Sequence, residues 1–131
     1  MKNNYATLIP LRGGSKGIKR KNLILINGKP LFYYVARSSI EAGIKTYIST
    51  EDEEIKKVCK NYFSELEIID RPTNLSSDNS TTEVVIKHFL EVEKSPKDII
   101  LLQATSPLTT KKDIQNSINI YEKNNKKTLL S

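Results

Sequence analysis

Three glycines and five cations crowd into one short stretch of this 131-residue chain, Arg12-Gly-Gly-Ser-Lys-Gly-Ile-Lys-Arg-Lys-Asn22. Glycine lets a backbone turn through positive φ and come close to a ligand. Successive exposed N–H groups in such a turn form an anion-binding nest, with Arg12, Lys16 and Lys21 as charged partners. The chemistry that suits this pattern is the holding of a polyphosphate. Two familiar phosphate loops do not fit. A P-loop needs G-x-x-x-x-G-K-[ST], whereas Gly17 is followed by Ile18 and Lys19. A dinucleotide fingerprint opens straight into a helix, whereas here the cations, an apolar run and the turn pair Asn27-Gly28 intervene. A solvated basic loop without a ligand is the plainer alternative.

Further candidates lie along the chain. Arg71-Pro72 makes a rigid exit that can hold one guanidinium fork in place. Ser76, Ser77, Asp78, Asn79, Ser80, Thr81 and Thr82 bring many short hydrogen-bonding groups, which turn and capping chemistry also explains. Gln103-Ala-Thr-Ser-Pro107 follows an apolar run expected to be the most buried strand, where a pocket floor belongs. His88, the single histidine, stands beside apolar residues and reads as a packed structural group. There is no H-E-x-x-H or C-x-x-C pattern, and one histidine argues against a triad or an imidazole metal site. Nucleotidyl transfer needs none of these, because it runs on positioning and charge stabilisation.

The elements that must carry these residues alternate short apolar runs with amphipathic stretches, the pattern of βαβ units around a parallel sheet. Strands are expected at Ala6–Leu11, Thr46–Ser49, Glu67–Ile69, Ile99–Leu102 and Thr128–Ser131. Helices are expected at Leu31–Ala42, closed by Gly43, then to about Tyr62, over about Thr81–Glu93 and over about Lys112–Asn124. Ser49 or Thr50 is the expected cap of the second helix, with Glu51, Asp52, Glu53 and Glu54 loading its first turn. Ligands of open parallel sheets bind beyond the carboxyl ends of the strands, and the polar segments 12–22, 49–52, 71–82 and 103–108 all leave such ends.

Composition narrows the class. The whole chain, 1–131, fits one domain with a single core. The net charge is +6, but residues 1–40 hold eight cations and no acid, so the remainder carries −2. One basic end on a slightly acidic body points to a focused anion site. Nucleic acid is a poorer partner, since aromatic side chains are not interleaved with the cations. No apolar run is long enough to span a membrane and no signal-peptide pattern opens the chain. The single cysteine, Cys59, excludes an internal disulfide and suits a reducing cytoplasm.

At this point four motifs resemble one family. Leu11-Arg-Gly-Gly-Ser-Lys-Gly-Ile18 with Arg20-Lys-Asn22 and Gly28-Lys-Pro-Leu31 is similar to the signature loop of the CMP-sugar synthetases. These are the cytidylyltransferases that activate N-acylneuraminate (sialic acid), related nonulosonic acids and KDO. Ile48-Ser-Thr with Asp52-Glu-Glu-Ile55, Arg71-Pro-x-x-Leu-x-x-Asp78 and Leu101-Leu-Gln-x-Thr-Ser-Pro-Leu108 resemble the family's later motifs, in order. The Arg20-Lys-Asn form of the loop leans toward the sialic-acid branch.

The resemblance implies an α/β fold, a Rossmann-like nucleotidyltransferase three-layer αβα sandwich with a mostly parallel sheet. It implies that Arg12, Ser15, Lys16 and Lys21 hold the CTP triphosphate, with backbone from Leu11, Gly13 and Gly14, and that Arg12, Lys16 and Lys21 carry the catalytic charge. Asn22, Arg71 and Thr82 would contact the nucleoside, and Gln103, Thr105 and Ser106 the sugar. Mg²⁺ would assist, the substrates would be CTP and an acidic sugar, and the full-length form would be a homodimer. Departures from the pattern are Lys19 for proline, Glu51 for aspartate, Ala104 for proline and Thr109 for arginine. Family members continue beyond this length with more strands, a dimerisation segment and metal-binding aspartates. The expectation is therefore an N-terminal part of such an enzyme, or a truncated CTP-binding fragment that catalyses nothing.

Overall fold

A computed structural model of the chain describes residues 5–13, 24–72, 82–93, 98–104 and 110–123. Strand β1 (Tyr5–Pro10) leads, and a small antiparallel hairpin of β2 (Leu25–Ile26) and β3 (Lys29–Pro30) follows. Then come α1 (Leu31–Glu41), β4 (Lys45–Thr50), α2 (Glu53–Tyr62), β5 (Glu67–Asp70), α3 (Thr82–Val92), β6 (Asp98–Leu101) and α4 (Lys111–Lys123). The main sheet has the order β5-β4-β1-β6, and all its pairings are parallel. A β1 strand flanked on both edges needs two crossovers, and α1 and α3 lie within them.

The side-chain alternation of the strands sorts the core into two faces. Ile9, Leu11 and Ile48 pack with Phe32, Val35 and Ala36 of α1 and Ile55 and Cys59 of α2. On the same side Tyr5 and Ile44 meet Ile114 and Ile118 of α4. Ala6, Leu8, Tyr47 and Ile69 face the other way, onto Val85 and Phe89 of α3. Helices cover both faces, so the molecule is the three-layer αβα arrangement expected. A buried hydroxyl trio fixes α1 against the sheet: Ser39 Oγ donates to Thr7 Oγ1 at 2.7 Å and lies 2.7 Å from Thr46 Oγ1. Fully partnered in this way, polar groups specify one packing rather than weakening it.

Local signals explain most boundaries. Asn27 and Gly28 both have positive φ, 53° and 81°, the backbone a two-residue hairpin turn demands. Pro30, with φ −62°, ends the hairpin and caps α1 without a side-chain bond. Gly43, at φ 79°, closes α1 by donating to Ile40 O at 2.9 Å. The reciprocal pair Thr110 N–H to Asp113 and Asp113 N–H to Thr110 starts α4 as a capping box.

Three expectations need correction. The cap of α2 is Asp52, whose Oδ1 accepts from Glu54 and Ile55 N–H at 2.8 and 3.1 Å. Ser49 and Thr50 are buried strand residues instead, because β4 runs on to Thr50. The first strand runs Tyr5–Pro10, a residue earlier than expected, although Leu11 N–H still extends the ladder to Ser49 O at 2.9 Å. The most buried strand is β1, which has partners on both edges. Strand β6 is only half buried, since β1 is its one neighbour among the described residues. The strand expected at Thr128–Ser131 and the polar runs 73–81 and 105–109 lie outside the described residues.

Candidate functional site

Beyond the carboxyl ends of β1, β4 and β5 the chain passes through Leu11-Arg-Gly13, Glu51-Asp52 and Arg71-Pro72. The ladder outlasts the strands there: Arg71 N–H donates to Thr50 O at 3.0 Å, as Leu11 does to Ser49 O. Alternation carried past the strand ends turns Glu51 and Arg71 to the α3 side, since Tyr47 and Ile69 face α3. Arg71 is only 6% exposed, and its Nη2 stands 3.9 Å from Glu51 Oε1. Glu51 also takes the Gly13 N–H between its two oxygens, at 3.1 and 3.0 Å. One carboxylate therefore ties the entry of the glycine-cation loop to the buried guanidinium.

Gly13 has a steric reason to be glycine. A Cβ there would collide with Asp52 Oδ2 and sit 2.6 Å from Asp52 Cβ, where real Cβ atoms are not found. The α2 cap and the loop entry are thus pressed together.

Arg71 is electrostatically unsatisfied. Its Nε and Nη2 are buried and have no hydrogen-bond partner. Burial pushes its pKa below the ordinary value; Glu51 opposes that shift, and nearby Arg12 adds to it. Ser49 Oγ, one residue before the strand's end, is a second buried polar atom without a partner. Buried donors left unmade cost free energy, and a bound ligand that accepts from them recovers it.

The expected site residues divide as follows. Arg12, Gly13 and Arg71 come together around Glu51, Arg12 through its electrostatic effect on Arg71. Leu11 is fully buried in the core, so only its backbone could serve a ligand, and its N–H is already in the ladder. Thr82 opens α3. Gln103 is exposed, just past the end of β6, and Ala104 is buried against the α1 face. Gly14, Ser15, Lys16, Lys21, Asn22, Thr105 and Ser106 lie outside the described residues. Glu51 was not among the expected site residues. Four consecutive acids after a strand read as helix-start charge, and the usable signal was that Asp52 is the better cap, which frees Glu51 for something else.

The described carboxylates at this end do not form a place for Mg²⁺. Glu51 holds Gly13, Asp52 caps α2, and Asp70 pairs with Lys56 at 2.5 Å. Among the described residues no group of three or more histidines, cysteines and carboxylates could hold a metal.

A parallel αβα sheet whose carboxyl end carries Arg12, Gly13 and a buried, unpartnered guanidinium defines a doubly wound α/β protein with anion-binding groups at that end. The chain belongs to the cytidylyltransferase family, whose profile matches residues 6–130. It is 30% identical over 118 residues to the N-acylneuraminate cytidylyltransferase of Streptococcus agalactiae serotype V, covering 87% of this chain and 28% of that protein. It is 34% identical over 130 residues to the pseudaminic acid cytidylyltransferase of Campylobacter jejuni subsp. jejuni serotype O:2, covering 95% of this chain and 56% of that protein. Among solved structures, CMP:2-keto-3-deoxy-manno-octonic acid synthetase complexed with CTP superposes with a TM-score of 0.75 at 19% identity, over 92% of this chain and 48% of that one. That likeness shows the fold. The chain spans only 28% and 56% of the lengths of these two relatives.

Proposed function

We propose that this chain belongs to an enzyme that transfers CMP from CTP to a sialic-acid-like nonulosonic acid, releasing pyrophosphate. The observation that carries the reading is the Arg71 guanidinium, buried with two donor atoms unpartnered at the carboxyl end of the sheet. A planar fork of that kind suits a base carbonyl or phosphate oxygen, both strong acceptors. In the reaction, the sugar's anomeric oxygen forms a bond to the α-phosphorus of CTP. The bond from that phosphorus to the bridging oxygen breaks, and the hydroxyl proton passes to solvent. Arg12, with Lys16 and Lys21 of the same loop, would hold the triphosphate and balance charge on the leaving pyrophosphate. Asn22 and Thr82 would join Arg71 on the nucleoside, with Gln103, Thr105 and Ser106 on the sugar side. By the same resemblance, Mg²⁺ would assist by neutralising phosphate charge. CTP as donor suits a cytoplasmic enzyme, and a homodimer is part of the same reading for the longer form.

Pseudaminic acid is a second candidate acceptor. The pseudaminic acid relative shares more identity with this chain than the streptococcal one and is covered over twice the fraction of its length. Both sugars are nonulosonic acids, so the mechanism is the same and only the acceptor pocket differs. The test is pyrophosphate release from CTP, UTP, ATP and GTP, each with N-acetylneuraminate, pseudaminic acid or KDO. The reading expects release with CTP and one of the first two acids. Release with another nucleotide, or with CTP and KDO only, would displace it.

A further inference from the structure

We infer that Glu51 is a positioning residue that sets the phosphate-binding loop and the nucleoside-reading Arg71 in one geometry, an inference that rests on the function proposed above. Glu51 occupies the junction. Both of its oxygens lie at hydrogen-bond distance from Gly13 N–H, and one of them faces Arg71 Nη2 at 3.9 Å. Its side chain is 16% exposed and that of Arg71 only 4%, so the charges act on each other with little water between them. Two neighbours hold Glu51 in this place. Thr50 is fully buried at the end of β4, and Asp52 is fixed as the α2 cap. The carboxylate thus projects from a rigid corner, with helix on one side and ladder on the other.

The contact spans what would be the two halves of a nucleotide site. Gly13 opens the loop that would carry the triphosphate, and Arg71 leaves β5 some 58 residues later in the chain. At 3.9 Å the Arg71–Glu51 approach is an ion pair without a hydrogen bond. The guanidinium therefore keeps donors for a ligand while its position is constrained.

A carboxylate beside an anion site has a simpler possible effect, and the two differ in sign. If Glu51 mattered only as local negative charge, neutralising it would tighten the binding of every polyphosphate. If it positions Arg71, neutralising it weakens CTP although repulsion has been removed. Titration calorimetry on the whole 131-residue chain separates these, using CTP, UTP and inorganic tripolyphosphate as ligands. Glu51→Gln is expected to weaken CTP by at least about tenfold, the size of one lost charge-assisted contact, and to lower the CTP-over-UTP ratio by about as much. Tripolyphosphate should bind as in the wild type or more tightly. Glu51→Asp keeps the charge but draws it back by one methylene, and it should reproduce the loss of CTP preference. Urea unfolding of each variant identifies one that is merely unfolded, and the aspartate variant then decides the matter if the glutamine variant does not fold. CTP affinity and CTP-over-UTP preference unchanged in a folded variant would overturn the positioning role alone. Wild-type protein that shows no preference for CTP would overturn both this role and the function it rests on.

Discussion

Arg71 carries a positive charge into a place that is 6% exposed, and the fold supplies little to balance it. One carboxylate stands at 3.9 Å, another guanidinium pushes against it, and two of its donor atoms meet nothing. Structural arginines at such burial are normally forked onto carboxylates or carbonyls. The arrangement makes sense when a ligand completes it. Arg71→Lys keeps the charge but loses the planar fork. We expect the lysine variant to lose about 1.5–3 kcal/mol of CTP affinity together with its preference for CTP over UTP. Calorimetry with both nucleotides checks this, and wild-type affinity in the lysine variant would remove Arg71 from the site. Its place at the carboxyl end of a strand was legible in the sequence, because Arg-Pro closes the apolar run of β5. Its balancing partner Glu51 was not, because an acid within an acidic run carries no mark of what lies across from it.

At the scale of single elements, the helices were legible to within a residue or so, since apolar spacing and terminal glycine or proline act locally. The α2 start was misread because Ser49, Thr50 and Asp52 are all good caps, and only the length of β4 chooses among them. The burial of β6 was misread for a different reason: an apolar run reports that a strand is buried on its faces, not how many neighbours pair with its edges. Helix α2 also carries a titratable group that its packing keeps silent. Cys59 lies in the core with Ile55 and Phe32, and burial pushes its thiol from an ordinary 9.0 up to about 12. The folded state thus retains a proton that the unfolded chain gives up above the ordinary value. Stability from this group is complete below about pH 9 and is lost as pH rises from there toward about 12. Within that window, wild type should lose about 1.4 kcal/mol per pH unit more than Cys59→Ala, which lacks the group. Urea denaturation of the two proteins from pH 8 to 10.5 measures the difference. Equal slopes would mean that the thiol is not held in the packed core.

Across the whole molecule, the asymmetry of charge falls at one end of the sheet. Eight cations and no acid fall within the first 40 residues, and Arg12 leaves β1, an interior strand, at the carboxyl end of the sheet. Among the described residues no helix is long and apolar enough to cross a membrane. The interior place of β1 has another consequence, for the order in which the chain can assemble. Its two edges are claimed by strands of very different remoteness: Ala6 pairs with Lys45, but Tyr5 pairs with Asp98. On a ribosome adding about 5–20 residues per second, the second partner follows the first strand by roughly 5–20 s. Stalled nascent chains ending before Asp98 and long enough to clear the exit tunnel should therefore be more sensitive to protease within β1 than chains that include α4. Equal protection in both would show that something else covers the strand. During those seconds the most buried strand of the protein is half zipped, with one row of backbone donors and acceptors open to any strand that arrives first.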